Sequence, residues 1–373
     1  MTRTEFRLGF ACVALVLAAV CSAQAQSWSF TGSMQQARIY PSATLLPNGQ
    51  VLVAGGYHRG LIVGVAELYN PTTGTFSTTG SLDTPRYSHT ATLLNNGKVL
   101  ISGGRNTSGT IASTELYDPS TGTFSVSGSE SCACGGVPTL LPNGTVLFSG
   151  GFNGSVAIGT AEIYNPATGT FSPTGNLQVA RAGPSSALLP SGKVLVAGGV
   201  FFTGTPPYNL VANYLASAEL YDPVTGKFTL TGSLHTARSG NTATVLGNGT
   251  VLVAAGQNDG ANGGYLGSAE IYSPATGKFT VTGSLNTARF LHTAHLLANG
   301  QVLIVAGNFH GSIASTELYN PATGTFTNGA SLNTPRQGHR SVMLTNGQIL
   351  AAGGYESQLG NNLGILASAE LFH

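Results

Sequence analysis

Charge and cysteine are both scarce in this chain. Asp, Glu, Lys and Arg make up 8% of its 373 residues, and the net charge is +1. No basic run exists that would track a phosphate backbone, so nucleic acid is excluded as a partner. The four cysteines are Cys12, Cys21, Cys132 and Cys134, too few for a disulfide framework, so the fold has to close by other means. A single tryptophan is present. Helical periodicity is missing beyond the first 25 residues, which argues against a bundle or a doubly wound sheet.

The one extended apolar run lies near the start, from Leu8 to Val20. Arg3 and Arg7 precede it, and Ala23-Gln24-Ala25 follows with small residues at the positions a signal peptidase reads. The run is too short for a membrane span. The expectation is a signal peptide over residues 1–25, cleavage after Ala25, no membrane span afterwards, and a secreted, periplasmic or cell-surface product. A lipid anchor on Cys21 is disfavoured because bulky Val20 precedes it. Residues 26–373 then form a single domain, expected to be a monomer.

What the chain does have is glycine, 52 residues of it, together with a repeat. Ala/Thr-Glu-Leu/Ile-Tyr or its close variant recurs with its acid at Glu67, Glu115, Glu162, Glu219, Glu270, Glu317 and Glu370, spaced 47 to 57 residues apart. Upstream of each lies an apolar run ending in two small residues, from Gly55-Gly56 to Gly353-Gly354. Seven units of about fifty residues imply a closed array of supersecondary units. In the first unit, Asn48-Gly49 between apolar runs is a hairpin signal, since both turn residues tolerate positive φ. Asn70-Pro71-Thr72-Thr73-Gly74 marks a second turn. Four strands, a to d, follow for each unit. The expected fold is all-β: a seven-bladed β-propeller of four-stranded antiparallel blades.

These features resemble the kelch repeat family over nearly all of the chain after residue 25. The di-glycine, the tyrosine of Glu-Leu-Tyr, the later aromatic and the Arg-x-x-His of some units carry the resemblance. Where kelch repeats usually have tryptophan, this chain has Phe76, Phe124, Phe171, Phe228, Phe279 and Phe326. The seventh unit reaches only Leu371-Phe372-His373, whereas Trp28-Ser29-Phe30-Thr31-Gly32-Ser33 aligns with strand d elsewhere. The N-terminal strand is therefore expected to complete the last blade, removing an exposed edge.

In such a meander the a–b and c–d turns share one side of the disc, and the b–c and d–a loops share the other. The first side carries near-identical turns and reads as scaffold. Variation is confined to the second, where Tyr57, His58, Arg59, Arg105, Tyr208, Tyr214, Asp259, Tyr265, His310 and Tyr355 make candidate binding residues for a glycan or a protein.

Half of the 14 acidic residues are the repeated glutamates, and six of the 15 basic ones are Arg38, Arg86, Arg181, Arg238, Arg289 and Arg336. Recurrence in almost every blade favours structural Arg–Glu pairs, bidentate or to backbone carbonyls, over an anion-binding ring. Blade three breaks the pattern, with Cys132-Ala133-Cys134 where the arginine belongs. The two cysteines are read as a small disulfide ring, with soft-metal ligation or free thiols as alternatives. His89, His292 and His339 fill the Arg-x-x-His slot and read as framework.

Three functional classes remain. The favoured one is a non-catalytic binding scaffold without cofactor or metal. A carbohydrate enzyme, galactose-oxidase-like or epimerase-like, is the alternative; the first resemblance implies copper held by Tyr and His with a Tyr–Cys crosslink and a ligand from a C-terminal domain. A structural or adhesive envelope component is the third.

Overall fold

The computed structural model describes residues 26–132, 135–204, 211–260, 264–357 and 364–373. The expected signal peptide, Cys134 and Tyr208 lie outside the described residues. Seven four-stranded antiparallel sheets form the blades, and no α-helix occurs among the described residues.

Blade one runs through strand a (Ser42–Leu45), b (Val51–Ala54), c (Val65–Asn70) and d (Thr75–Ser81). Its a–b turn is longer than the two-residue hairpin expected: only Gly49 takes positive φ, +83°, its N–H bonds the Leu46 carbonyl at 2.9 Å, and the Asn48 carboxamide accepts from the Gln50 N–H at 3.0 Å. Strand b is buried along its whole length in six blades and over Val302–Gly307 in blade six, where it runs on to half-buried Asn308. It lies inside its own sheet with a neighbouring blade against each face, which is why it reads as a continuous Val/Leu/Ile/Ala run.

The strand-c tyrosine joins blades. Tyr69 packs on Phe76 with centroids 4.9 Å apart, and its hydroxyl reaches Thr31 of the preceding blade at 2.8 Å. Five further blades repeat this bond, for example Thr79 to Tyr117 and Thr231 to Tyr272. Close approach sets the glycine that follows the threonine: a Cβ on Gly32 would lie 2.3 Å from the Gly74 carbonyl oxygen, so no larger residue fits.

Ring closure is borne out. Trp28–Phe30 pairs antiparallel with Ala369–Phe372, Trp28 opposite Phe372 and Phe30 opposite Glu370. The seven a strands contact one another in a closed ring around the channel.

One difference from the sequence reading concerns the b–c loops, several of which carry their own hairpins. Tyr57–His58 pairs with Leu61–Ile62, Arg105–Asn106 with Gly109–Thr110, and Val200–Thr203 with Val211–Tyr214. In the first, Arg59 and Gly60 both take positive φ, +48° and +87°, the requirement of a two-residue hairpin turn. A non-glycine residue at the first turn position hid the signal.

Candidate functional site

Each of six repeat arginines is buried and tied into its own blade. Arg238 donates from Nη2 to Glu270 at 3.1 Å, from Nη1 to the carbonyls of Ala255 and Ser268, and from Nε to that of Thr236. Glu270 also accepts the backbone N–H groups of His235 and Thr236. The same arrangement joins Arg38 to Glu67, Arg86 to Glu115, Arg181 to Glu219 and Arg289 to Glu317, and Arg336 to Glu370 without the Nε bond. One Arg–carboxylate bond per pair is supplemented by carbonyls, in place of a bidentate fork. Burial lowers the arginine pKa in each case, against the raising influence of the glutamate. These groups stitch the incoming d–a loop to strand c and are committed before any ligand arrives.

The candidate binding residues spread around the rim in clusters at blade junctions. Tyr265 meets His310 at 5.0 Å, Phe290 at 5.6 Å and Phe309 at 5.5 Å, an aromatic wall between blades five and six. Tyr57 packs on Tyr87 at 5.7 Å. Burial raises the Tyr214 pKa, and the charge of Asp259 adds to the effect. Arg105 is exposed and lines a cleft of about 200 Å³ with Ser88, Thr110, Phe152 and Gly183. Tyr355 bridges to Gln337 and Ile365, and His58 and Arg59 belong to the first loop hairpin. No single cluster collects the nine that lie among the described residues.

Sequence reasoning passed over the channel mouth. The residue two before strand a adopts the left-handed conformation in blades one, two, four, five, six and seven, at Tyr40, Ser88, Gly183, Gly240, Leu291 and Gly338, and Gly135 does so in blade three. Three of these are not glycine, and a strained backbone of this kind costs roughly 1–3 kcal/mol each. They link into part of a ring: the Tyr40 N–H donates to Gly338, and the Ser88 N–H to Tyr40. Beside Tyr40 stands Arg340, the first residue of strand a in blade seven, Arg340–Met343. The other blades have Ser, Thr or Val there, a contrast legible in the sequence. Arg340 bonds the His339 carbonyl at 3.1 Å, and among the described residues it makes no ion pair with a carboxylate. Burial lowers its pKa, and burial raises that of Tyr40 against the opposing pull of Arg340.

Histidines of blades two, six and seven are held neutral beside the innermost strands. Burial pushes His89 and His292 down to about 3 and His295 to about 4, with arginine charges adding to the effect on the first two. His292 reaches back to Thr242 at 3.1 Å, whereas His295 reaches forward to Ser341 at 2.5 Å.

On the opposite side a cleft of about 480 Å³ lies among the turns at Pro47, Asn96–Lys98 and Asp118–Ser120. A counterpart recurs at Leu246–Asn248, Asn299–Gln301 and Asn320–Ala322, so this groove is the regular spacing between adjacent blades.

No protein-family model matches the chain, and no curated protein does. Among solved structures, it is similar to a fungal alcohol oxidase of the AA5 family in complex with copper. The TM-score is 0.74 at 18% identity, covering 94% of this chain and 76% of that one. This match shows the fold. It also corrects the expectation of a non-catalytic binding scaffold. The propeller that this chain reproduces belongs, in that protein, to an enzyme, so repeat architecture carries no argument against catalysis.

Among the described residues the histidines and the cysteine do not gather into a copper centre. Among the described residues no three His, Cys, Asp or Glu side chains gather to hold a metal. His292 and His295 diverge toward different blades, and Cys132 is disulfide-bonded, which removes its thiolate as a ligand. No helix among the described residues is long and apolar enough to cross a membrane.

Proposed function

We propose that this chain is an enzyme of galactose-oxidase-like architecture that performs acid–base chemistry on a sugar-like substrate held over the channel mouth. The observation that carries the reading is the pairing of Arg340 with Tyr40. A guanidinium without a carboxylate partner stands beside a phenol whose backbone is held in a strained conformation. Arg340 would bind an oxygen anion or carboxylate of the substrate, and the Tyr40 hydroxyl would pass the proton. Tyr265, Phe290 and Phe309 would offer the apolar face of a sugar ring a stacking surface. Proton transfer of this type interconverts anomers or epimers with no net oxidation. The same reading takes the chain as a kelch-type propeller, exported after cleavage following Ala25.

The test is ¹H NMR of neutral and acidic sugars in D₂O with the purified protein. Accelerated anomer or epimer exchange, lost in Tyr40→Phe and Arg340→Thr, is the expected result. Copper-dependent peroxide release from an alcohol, or no acceleration with any sugar, overturns the proposal.

A further inference from the structure

Blade three departs from the other six at two positions at once. The guanidinium that elsewhere bonds the strand-c glutamate is missing, because Cys132-Ala133-Cys134 occupies that stretch. Four residues ahead of the usual arginine, the other blades bury an apolar side chain: Met34, Leu82, Leu177, Leu234, Leu285 and Leu332. Blade three buries Glu130 there instead, at 5% exposure. A cation has been removed and a second carboxyl added in the same interior.

These changes meet in one place. Glu130 and Glu162 both line a cavity of about 10 Å³, with Cys132, Gly150 and Thr160, room for one water-sized sphere. Glu130 Oε1 is fully buried and has no hydrogen-bond partner. Glu162 retains a backbone N–H bond, from Ser131 at 3.0 Å. Gly150 and Thr160 are the counterparts of the residues whose carbonyls receive the arginine Nη1 elsewhere, such as Gly103 and Ser113 around Arg86. The walls of a cation site are thus kept, with one more carboxyl than usual. Burial and the neighbouring Glu162 push the Glu130 carboxyl up to about 8, against the lowering pull of the Gly135 and Gly136 N–H groups and the Arg86 charge of the preceding blade.

We propose that this cavity is a binding site for a calcium-type divalent cation, held by Glu130 and Glu162 and stabilising blade three in place of the arginine. Two carboxylates neutralise a 2+ ion, and an oxygen set of carboxylates and carbonyls is the chemistry calcium selects. The disulfide takes away the thiolate that a soft ion would need. The site is structural and lies within a blade, independent of the reaction at the channel mouth.

The experiment is thermal unfolding of the purified protein after EDTA treatment, with and without added Ca²⁺ or Mg²⁺, alongside isothermal titration with Ca²⁺. An upward shift of roughly 3 °C or more with Ca²⁺ is expected, with one ion bound per chain and a weaker response to Mg²⁺. Glu130→Leu restores the residue of the other blades; it should fold, bind no Ca²⁺ and melt at one temperature with or without the ion. Glu162→Gln should also lose binding. Equal melting temperatures of the native protein in EDTA and Ca²⁺, or an undiminished Ca²⁺ response in Glu130→Leu, overturns the proposal.

Discussion

Arg238 and Glu270 meet at 3.1 Å with neither side chain reached by solvent. The pair recurs in six blades, and each copy fastens the chain entering a blade to that blade's third strand. Breaking it takes the guanidinium away from a buried carboxylate and from three carbonyls, at a cost of about 3–5 kcal/mol. Arg238→Ala should therefore lower the midpoint of denaturant unfolding strongly while leaving sugar exchange per folded molecule unchanged. A variant that melts normally but loses activity would move these arginines from framework to binding ring.

The strand that closes the ring carries a second prediction. Trp28 buries its ring against Phe372 at 5.3 Å, and the backbone from Trp28 to Phe30 completes the sheet of blade seven. Removing Ser27–Ser33 exposes the edge of Ala369–Phe372 and uncovers the Trp28 slot. The expected outcome is loss of a single cooperative unfolding transition, or self-association through the open edge, read by calorimetry and light scattering. A monomer with unchanged melting would show that closure adds nothing to stability.

The repeat made the blades legible because each element obeys its own local rule. Asn48-Gly49 turns, Val51–Ala54 is covered on both faces, and Tyr69 needs both a ring and a hydroxyl partner. Trp28 could be placed because its neighbours spell a strand d. The site was harder to read. Tyr265 and His310 stand 45 positions apart and meet only because adjacent loops fold toward each other. Tyr40 is inconspicuous until its left-handed backbone is seen at a position that four other blades fill with glycine. Glu130 and Arg340 were readable in principle, as an acid in a leucine column and a cation in a hydroxyl column, but attention to recurring charges passed over the charges that do not recur. A repeat that builds a propeller carries no information about catalysis, so function was not legible in it.

Acid should weaken the fold through the channel histidines. His89 faces Arg86, Arg340 and Arg38, His292 faces Arg289, and His339 faces Arg336 and Arg340; burial and these charges hold all three rings neutral. A histidine whose folded pKa lies below its unfolded value of about 6.5 contributes stability above that pH and loses it as pH falls. For His292, at about 3, the loss by pH 5 is about 2 kcal/mol. Urea unfolding at pH 7 and pH 5 should show the decline, and His292→Asn, which copies Asn241 of blade five, should reduce it. A stability that stays level between those values would mean that the rings titrate normally.

Arg340 provides the sharpest contrast with the repeat arginines. It is the one arginine on an innermost strand, and its charge is not met by a carboxylate among the described residues. Keeping a cation partly buried without a carboxylate partner costs stability, so substitution should help the fold as long as the shape is acceptable. Thr90, Thr242 and Thr293 occupy the corresponding place in other blades, which makes Arg340→Thr the conservative choice for the scaffold. It should melt at or above the native temperature, unlike Arg238→Ala, while the acceleration of sugar exchange disappears. Lysine at the same position keeps the charge but not the planar fork, so Arg340→Lys should retain part of the response to an acidic sugar, seen as a raised KM with kcat less affected. If Arg340→Thr instead unfolds as readily as Arg238→Ala, the residue belongs to the framework, and the channel mouth loses its claim to be the site.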